Sequence, residues 1–266
     1  MNHPLEPDPA LGVFSTMLVV DGRPVELDAH LAQLRASVRA LFGLALPGWA
    51  AEAVAEKARG LELGRVRLSV AAADGEPRLE ALARSLDRAV VLRDGALDLC
   101  STTVSGWHGA HKWVDRRLLD GLDAAVAPAG ALLVEPDGRV LETTRANVFA
   151  LCDDGVLRTP PADGAILPGV TRAQAIAIAE EAGLPVCEEP LRLDALHAAR
   201  EVFATGSIRG VEPVRSLDGV PVGSHRDVAT AIADALRRRY ADALRCARSA
   251  RSSSMRMTRS PSRPAT

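Results

Sequence analysis

Lys112 is the first candidate for covalent chemistry in this sequence, because lysine is rare in it. Of the 32 basic residues, all but Lys57 and Lys112 are arginine. Lys57 lies in a helical stretch of alanine, acidic and basic residues, where a charged side chain in solvent is expected. Lys112 follows small and aromatic residues, with no acid until Asp115. A lysine amine kept from water has a lowered pKa and becomes a nucleophile, which suits Schiff-base chemistry. The alternative is a lysine lying along a surface turn.

Two segments of the second half have features of a phosphate site. Residues 166–172 place a Pro-Gly turn directly before a predicted helix, so the free amides of Val170 and Thr171 face outward at the positive end of the helix dipole. Residues 203–208 end a predicted strand with glycine and the hydroxyl of Ser207. Each segment alone is more typical of a cap or a turn. Glu142, at the end of a predicted strand, is by itself most simply interpreted as a turn residue.

The elements that must position these residues form two units in an α/β (α+β) chain. Residues 1–105 are predicted to be a small unit whose helix is capped by Asp28 and ends at Gly43. Residues 106–248 form a larger unit of strands and helices, with a last helix over 224–245. Residues 249–266, rich in arginine and serine, are predicted to be a disordered basic tail.

Composition excludes several classes of function. No stretch of eighteen apolar residues occurs, and the amino terminus has no basic start followed by an apolar run, so a cytoplasmic protein without a membrane span is expected. The four cysteines lack the paired spacing of a zinc site, and no metal is predicted. The basic tail has no aromatic residue to stack on bases, so nucleic-acid binding is not expected. No Gly-x-Gly-x-x-Gly loop supports a dinucleotide fold.

In order and combination, four motifs resemble those of class IV aminotransferases, the pyridoxal phosphate enzymes of fold type IV. The motifs are Lys112, Glu142-x-x-x-x-Asn147-Val148-Phe149, Leu167-Pro168-Gly169-Val170-Thr171-Arg172 and Thr205-Gly206-Ser207. The resemblance runs from Phe14 to about Val222. It implies two domains, with pyridoxal 5'-phosphate in the interdomain cleft, a small-molecule amino substrate and a homodimer.

The resemblance also implies a role for each matching residue. Lys112 would form the Schiff base with the cofactor and move protons at the substrate carbon, and Glu142 would keep the pyridine nitrogen protonated. The remaining cofactor contacts would be a side chain on the ring face and three groups on the phosphate: Leu167, then Val170, Thr171 and Ser207.

The surroundings of Lys112 point to one branch of the family. Lys112-x-x-Asp115-Arg116 is similar to the Lys-x-x-Asn-Arg pattern of 4-amino-4-deoxychorismate lyase, which releases pyruvate and 4-aminobenzoate. Its dianionic substrate needs cationic partners, for which Arg116 and Arg67 are candidates. Branched-chain enzymes follow the lysine with Gly-Gly-Asn-Tyr, which is absent here. The alternatives are a transaminase of the D-amino-acid or branched-chain type, and a non-catalytic homologue that acts as a binding protein.

Three residues depart from the family pattern. Ser15 stands where a glutamate is common, and Asp115 replaces the asparagine. Gln33, three residues after His30, takes the place of an arginine that grips the cofactor phosphate, so weaker cofactor binding is expected. Arg172, next to the phosphate segment, is better placed than Arg35 to replace that charge, but the hypothesis is that the amides and hydroxyls at the helix terminus suffice.

Overall fold

The strands of the first sheet come from the amino-terminal part of the chain. The computed structural model describes residues 6–91, 95–107, 109–223 and 225–241. The sheet has the order β2-β1-β3-β4, and all neighbouring strands are antiparallel. Its strands are β1 (Val13–Val20), β2 (Arg23–Pro24), β3 (Leu63–Ala73) and β4 (Glu76–Ser85).

Two helices, α1 (Leu27–Phe42) and α2 (Ala50–Ala58), pack on one face of this sheet. β3 alternates between buried aliphatic residues that face the helices and half-buried polar residues on the other face. The face towards the helices therefore forms the core, and the opposite, polar face is available to line a binding site. Gly43 ends α1 in the left-handed conformation, as predicted. The predicted cap at Asp28 is wrong, because α1 begins one residue earlier and its N-cap position is Glu26.

The second sheet has ten strands within the described residues. Its order is β10-β9-β8-β12-β13-β5-β6-β7-β11, with β14 paired to β13. The strands are β5 (Leu97–Thr103), β6 (Gly130–Val134), β7 (Arg139–Thr143), β8 (Asn147–Leu151), β9 (Leu157–Thr159), β10 (Val186–Glu188), β11 (Leu191–Arg192), β12 (Glu201–Gly206), β13 (Gly210–Leu217) and β14 (Val220–Pro221). β5 pairs with β6 and β13. The change from one sheet to the other thus falls between β4 and β5, before the domain boundary suggested at residue 105.

Helices cover the second sheet. They are α3 (Arg117–Val126), α4 (Val170–Glu181), α5 (Leu193–Ala198) and a last helix, α6, over residues 227–241. The buried carboxylate of Glu201 accepts hydrogen bonds from the backbone N–H groups of Val228 (3.1 Å) and Ala229 (3.0 Å), which satisfies the first turn of α6. The end of the predicted last helix, Cys246 and the predicted tail over 249–266 lie outside the described residues.

The segment that carries Lys112 is held against β1. The N–H of Phe14 donates to the carbonyl of Lys112 (2.8 Å), and the N–H of Val114 donates to the carbonyl of Gly12 (2.9 Å). Gly12 has φ 83°, and a Cβ there would lie 2.1 Å from the carbonyl oxygen of Val70, so only glycine fits. These contacts place Lys112 between the two sheets.

Candidate active site

A cleft between the two sheets brings most of the predicted site residues together. Its walls include Lys112, Arg116, Glu142, Leu167, Val170, Thr171 and Ser207. The cleft opens into a chamber of about 280 Å³, lined by Arg67 and again by Lys112, Arg116 and Ser207. All eight predicted site residues thus lie in one connected region, although they come from both sheets and from positions 67 to 207.

Lys112 has the environment of a reactive amine. Burial and then the nearby charge of Arg116 lower its pKa to about 8, against the opposing effect of the Glu142 carboxylate. Its Nζ atom lies 5.3 Å from the centre of the Phe14 ring. An amine with this pKa is largely neutral just above pH 8, so it can act as a nucleophile or a base.

Glu142, one residue before the end of β7, is buried, with 6% of its surface exposed. Its Oε2 atom accepts hydrogen bonds from the N–H of Leu167 (3.2 Å) and from Nδ2 of Asn147 (3.1 Å). Burial raises the pKa of Glu142 to about 8, while the bond from Leu167, the indole of Trp107 and the charge of Lys112 act in the opposite direction. Nε1 of Trp107 itself makes no hydrogen bond of standard geometry within the described residues.

The turn before α4 forms a cup with backbone amides at its base. Gly169 is the N-cap of α4. The first amides of a helix have no helical carbonyl to bind, and no capping side chain binds them here. Asn147 holds the turn through the carbonyl of Leu167 (2.9 Å). A Cβ on Gly169 would lie 2.1 Å from Oδ1 of Asn147, so the turn and β8 can approach this closely only with glycine.

Thr205 provides a test of whether an anionic group fits this cup. Its Oγ1 atom is buried in the cleft wall and has no hydrogen-bond partner among the described residues. A buried hydroxyl without a partner is unfavourable. A phosphate group in the cup would accept a hydrogen bond from this hydroxyl. The same phosphate would also accept hydrogen bonds from the first amides of α4. The residues present therefore fit a phosphorylated cofactor.

The cation expected beside this cup is not Arg172. Nη2 of Arg172 donates to the carbonyl of Pro160 and to Glu188, both at 2.7 Å, and Arg172 does not line the cleft. The suggestion that it replaces the missing arginine is wrong, because α4 turns its side chain towards β10. Gln33 does reach the cup, but its Nε2 donates to the carbonyl of Pro168 (2.7 Å).

Arginine dominates the chamber next to Lys112. Five arginines line it: Arg65, Arg67, Arg116, Arg145 and Arg209. The guanidinium of Arg67 lies over the Phe14 ring at 3.7 Å, and burial followed by the charges of Arg116 and Arg65 lowers its pKa. Of these five, only Arg67 and Arg116 were predicted from the sequence. Arg65 could have been found, because it lies two residues before Arg67 and therefore on the same face of the strand.

Asp115 and Ser15, which depart from the family pattern, each have hydrogen-bond partners in the structure. Asp115 does not line the cleft. It accepts hydrogen bonds from the backbone of Asp8 (3.0 Å) and from Arg117, so it fixes the amino-terminal segment. Ser15 does line the cleft, and its Oγ lies 2.9 Å from Nδ1 of His30. Burial lowers the pKa of His30 to about 3, so this imidazole is neutral near pH 7.

No other kind of site emerges from the part of the chain that the structure describes. It contains no group of three or more side chains that could hold a metal ion. None of its helices has the length and apolar character needed to cross a bilayer.

Comparison with known proteins gives one family and one fold. The model of the family "Amino-transferase class IV" matches residues 12–217. The branched-chain-amino-acid aminotransferase of Escherichia coli K12 is 40% identical over 95 residues, 36% of this chain and 30% of that protein. The chain thus aligns with less than a third of this curated relative.

Two solved structures are similar over most of the chain. A hypothetical aminotransferase from Mycobacterium tuberculosis, solved in a form with pyridoxal phosphate bound, has a TM-score of 0.76 at 23% identity, covering 84% of this chain and 86% of the other. A Legionella pneumophila protein, provisionally named 4-amino-4-deoxychorismate lyase, has a TM-score of 0.75 at 23% identity, covering 86% and 91%. These similarities confirm the predicted fold.

Proposed function

The chain belongs to the class IV aminotransferase family, whose cofactor is pyridoxal phosphate, and within it we propose a lyase that converts 4-amino-4-deoxychorismate to pyruvate and 4-aminobenzoate. The observation that carries the proposal is the arginine-lined chamber next to Lys112. Each product carries one carboxylate, so the substrate is a dianion. We further propose that the enzyme works as a homodimer of two-domain subunits.

We assign the cofactor to the cleft on the donors that its walls offer. The α4 amides at Val170 and Thr171, with the hydroxyls of Thr205 and Ser207, would hold the phosphate. Leu167 would pack on the ring. The buried Glu142 would face the pyridine nitrogen, where a carboxylate keeps a proton on the ring.

When bound, pyridoxal phosphate supplies an electron sink for the carbanion formed beside the substrate nitrogen. Lys112 binds the cofactor and then takes the proton from the ring carbon that bears the substrate amine. Its pKa of about 8 leaves a useful fraction of neutral amine near neutral pH. The bond between the neighbouring ring carbon and the enolpyruvyl oxygen then breaks, its electron pair leaves with the oxygen as the enolate of pyruvate, and this enolate takes up a proton to give pyruvate.

The chamber accounts for preference among substrates by charge. Arg116 and Arg145 already pair with Asp120 and Asp123, so a ligand with two carboxylates would mainly stabilise the guanidinium groups of Arg65, Arg67 and Arg209. An aliphatic side chain in the same space would remove water from these groups without replacing its hydrogen bonds. Phe14, Leu86 and Ile208 supply an apolar wall for the carbon ring of the substrate.

A branched-chain transaminase is the second candidate, and the identity to the Escherichia coli enzyme favours it. The charge of the chamber argues against a purely aliphatic substrate side chain. The products separate the two candidates, because a transaminase needs an amino acid and a keto acid in alternation.

The test is incubation of the holoenzyme with 4-amino-4-deoxychorismate and no keto acid, with detection of both products by chromatography. We expect equal amounts of pyruvate and 4-aminobenzoate, and no products from a Lys112→Ala variant. Amino transfer from branched-chain amino acids to 2-oxoglutarate, without lyase activity, would contradict the proposal and establish the second candidate.

A further inference from the structure

Glu212 brings a negative charge to a chamber whose other charged residues are cations. Among the described residues that line it, Glu212 is the single acid beside five arginines and Lys112. It lies on β13 and is buried, with 5% of its surface exposed. A buried carboxylate is costly unless it is paired with a cation. Its presence in a space that otherwise selects anions therefore requires a partner close by.

Arg209 is one such partner. It lies in the turn between β12 and β13, and its Nη1 atom is 3.4 Å from Oε1 of Glu212. The Arg209 side chain is 43% exposed, so solvent and ligands reach it. A guanidinium has five N–H donors, and Glu212 accepts from Nη1, so donors remain for a ligand. Glu212 thus restricts where the Arg209 side chain lies without using up its donors.

The cations of the chamber are divided between the two sheets. Arg65 and Arg67 belong to β3 of the first sheet, and Arg67 is stacked on Phe14. Arg209 extends from the second sheet, two residues after Ser207, which lines both the cleft and the chamber. A ligand lying between the sheets therefore meets guanidinium groups from two walls. Two separated carboxylates suit such a space better than one.

Building on the proposed function, we propose that Arg209, positioned by Glu212, binds one of two substrate carboxylates and makes the site select dicarboxylate over monocarboxylate substrates. The other carboxylate is bound by the arginines of β3. Arg209 is then a specificity-determining residue, and Glu212 acts through it as a positioning residue.

The experiment measures binding to the holoenzyme by calorimetry with two probes of the same ring, benzene-1,3-dicarboxylate and benzoate. We expect the wild type to prefer the dicarboxylate and Arg209→Gln to lose about tenfold in dicarboxylate affinity, the size of one charge-assisted contact. Benzoate affinity should change less than about twofold. Glu212→Gln should lower the same preference by a smaller factor, because the guanidinium remains but is no longer held.

Arg215→Gln is the matched control. Arg215 is on β13, the strand that carries Glu212, and is ion-paired with Asp98, but it does not line the chamber. It should leave both affinities unchanged. An unaltered preference in Arg209→Gln, an equal loss for both probes, or a wild type without preference would each overturn the inference.

The outcomes of the two experiments distinguish a failure of the lyase proposal from a failure of the assignment of Arg209. If 4-amino-4-deoxychorismate is not cleaved but Arg209→Gln still removes the dicarboxylate preference, the assignment of Arg209 holds for another dicarboxylate amino substrate. If cleavage occurs and the preference does not depend on Arg209, the lyase stands and this inference is wrong.

Discussion

Replacing Gln33 with arginine should tighten cofactor binding. Gln33 lines the cup predicted to hold the phosphate, yet its Nε2 donates to the carbonyl of Pro168. Arg172 is turned away towards Glu188. An amide brings no charge to the cup, whereas a guanidinium at position 33 could form a bidentate contact with a phosphate dianion.

The expected magnitude follows from the contacts exchanged. An arginine at position 33 must be ordered when the cofactor binds, at a cost of about 1 kcal/mol, and gains charge-assisted hydrogen bonds to the phosphate worth about 1.5–3 kcal/mol. The net gain is about 0.5–2 kcal/mol, which centres on a roughly tenfold lower Kd. Gln33→Leu loses the Pro168 bond in the free and the bound protein alike, so it should lower stability by about 1 kcal/mol but change Kd less than about twofold.

The assay is titration of cofactor-free protein with pyridoxal phosphate, followed by quenching of tryptophan fluorescence. Ala40→Arg is the charge control, since this exposed position lies two turns further along α1, about 10 Å from residue 33. It should leave Kd unchanged. Equal affinities of the wild type and Gln33→Arg would refute the reasoning and show that another cation already serves the phosphate.

Four further predictions concern the same site. Borohydride reduction should fix the cofactor covalently to Lys112 and to no residue in Lys112→Ala, as read by peptide mass spectrometry; labelling of Lys57 would overturn the assignment. Glu142→Gln should keep its circular dichroism but lose at least about a hundredfold in kcat, a few kcal/mol, because the ring nitrogen loses its anionic partner; unchanged turnover would make Glu142 a turn residue. Without cofactor, the free energy of unfolding should fall between about pH 6.5 and 8, where folded Glu142 retains a proton that the unfolded chain releases, and rise from about pH 8 to 10.5, where unfolded Lys112 binds the extra proton. Below about pH 6.5 the buried, neutral His30 offsets the fall, because there the unfolded chain protonates this imidazole. Lys112→Ala should lack the rise in chemical denaturation, and a rise that persists would assign it to another group. Arg172→Ala should lower Tm, since it leaves Glu188 without its partner, but change the Kd for pyridoxal phosphate less than about twofold; a clear loss of affinity would return Arg172 to the phosphate site.

Local sequence signals predicted much of the fold. The apolar periodicity and Gly43 gave the course and end of α1, because a left-handed residue after a helix is almost always glycine. The capping residue was misplaced, since Asp28 and the true N-cap position Glu26 are both polar and only backbone geometry separates them. Strand β5 lies before the suggested boundary at residue 105 yet belongs to the second sheet, because its partners β6 and β13 are distant in the sequence and no local pattern predicts the pairing.

The sequence determined which chemical groups are available and in what order. The rarity of lysine marked Lys112, and the motif around Glu142 marked the carboxylate, because chemistry of this kind depends on residue type. Only the tertiary structure decided which way each side chain faces and which residues lie near one another. Successive helical residues are rotated by about 100°, so Arg172 could follow Thr171 directly and still face away from the cup. Packing of the two sheets brought Arg209 and Glu212 into one chamber with Arg67, an arrangement that no local pattern encodes.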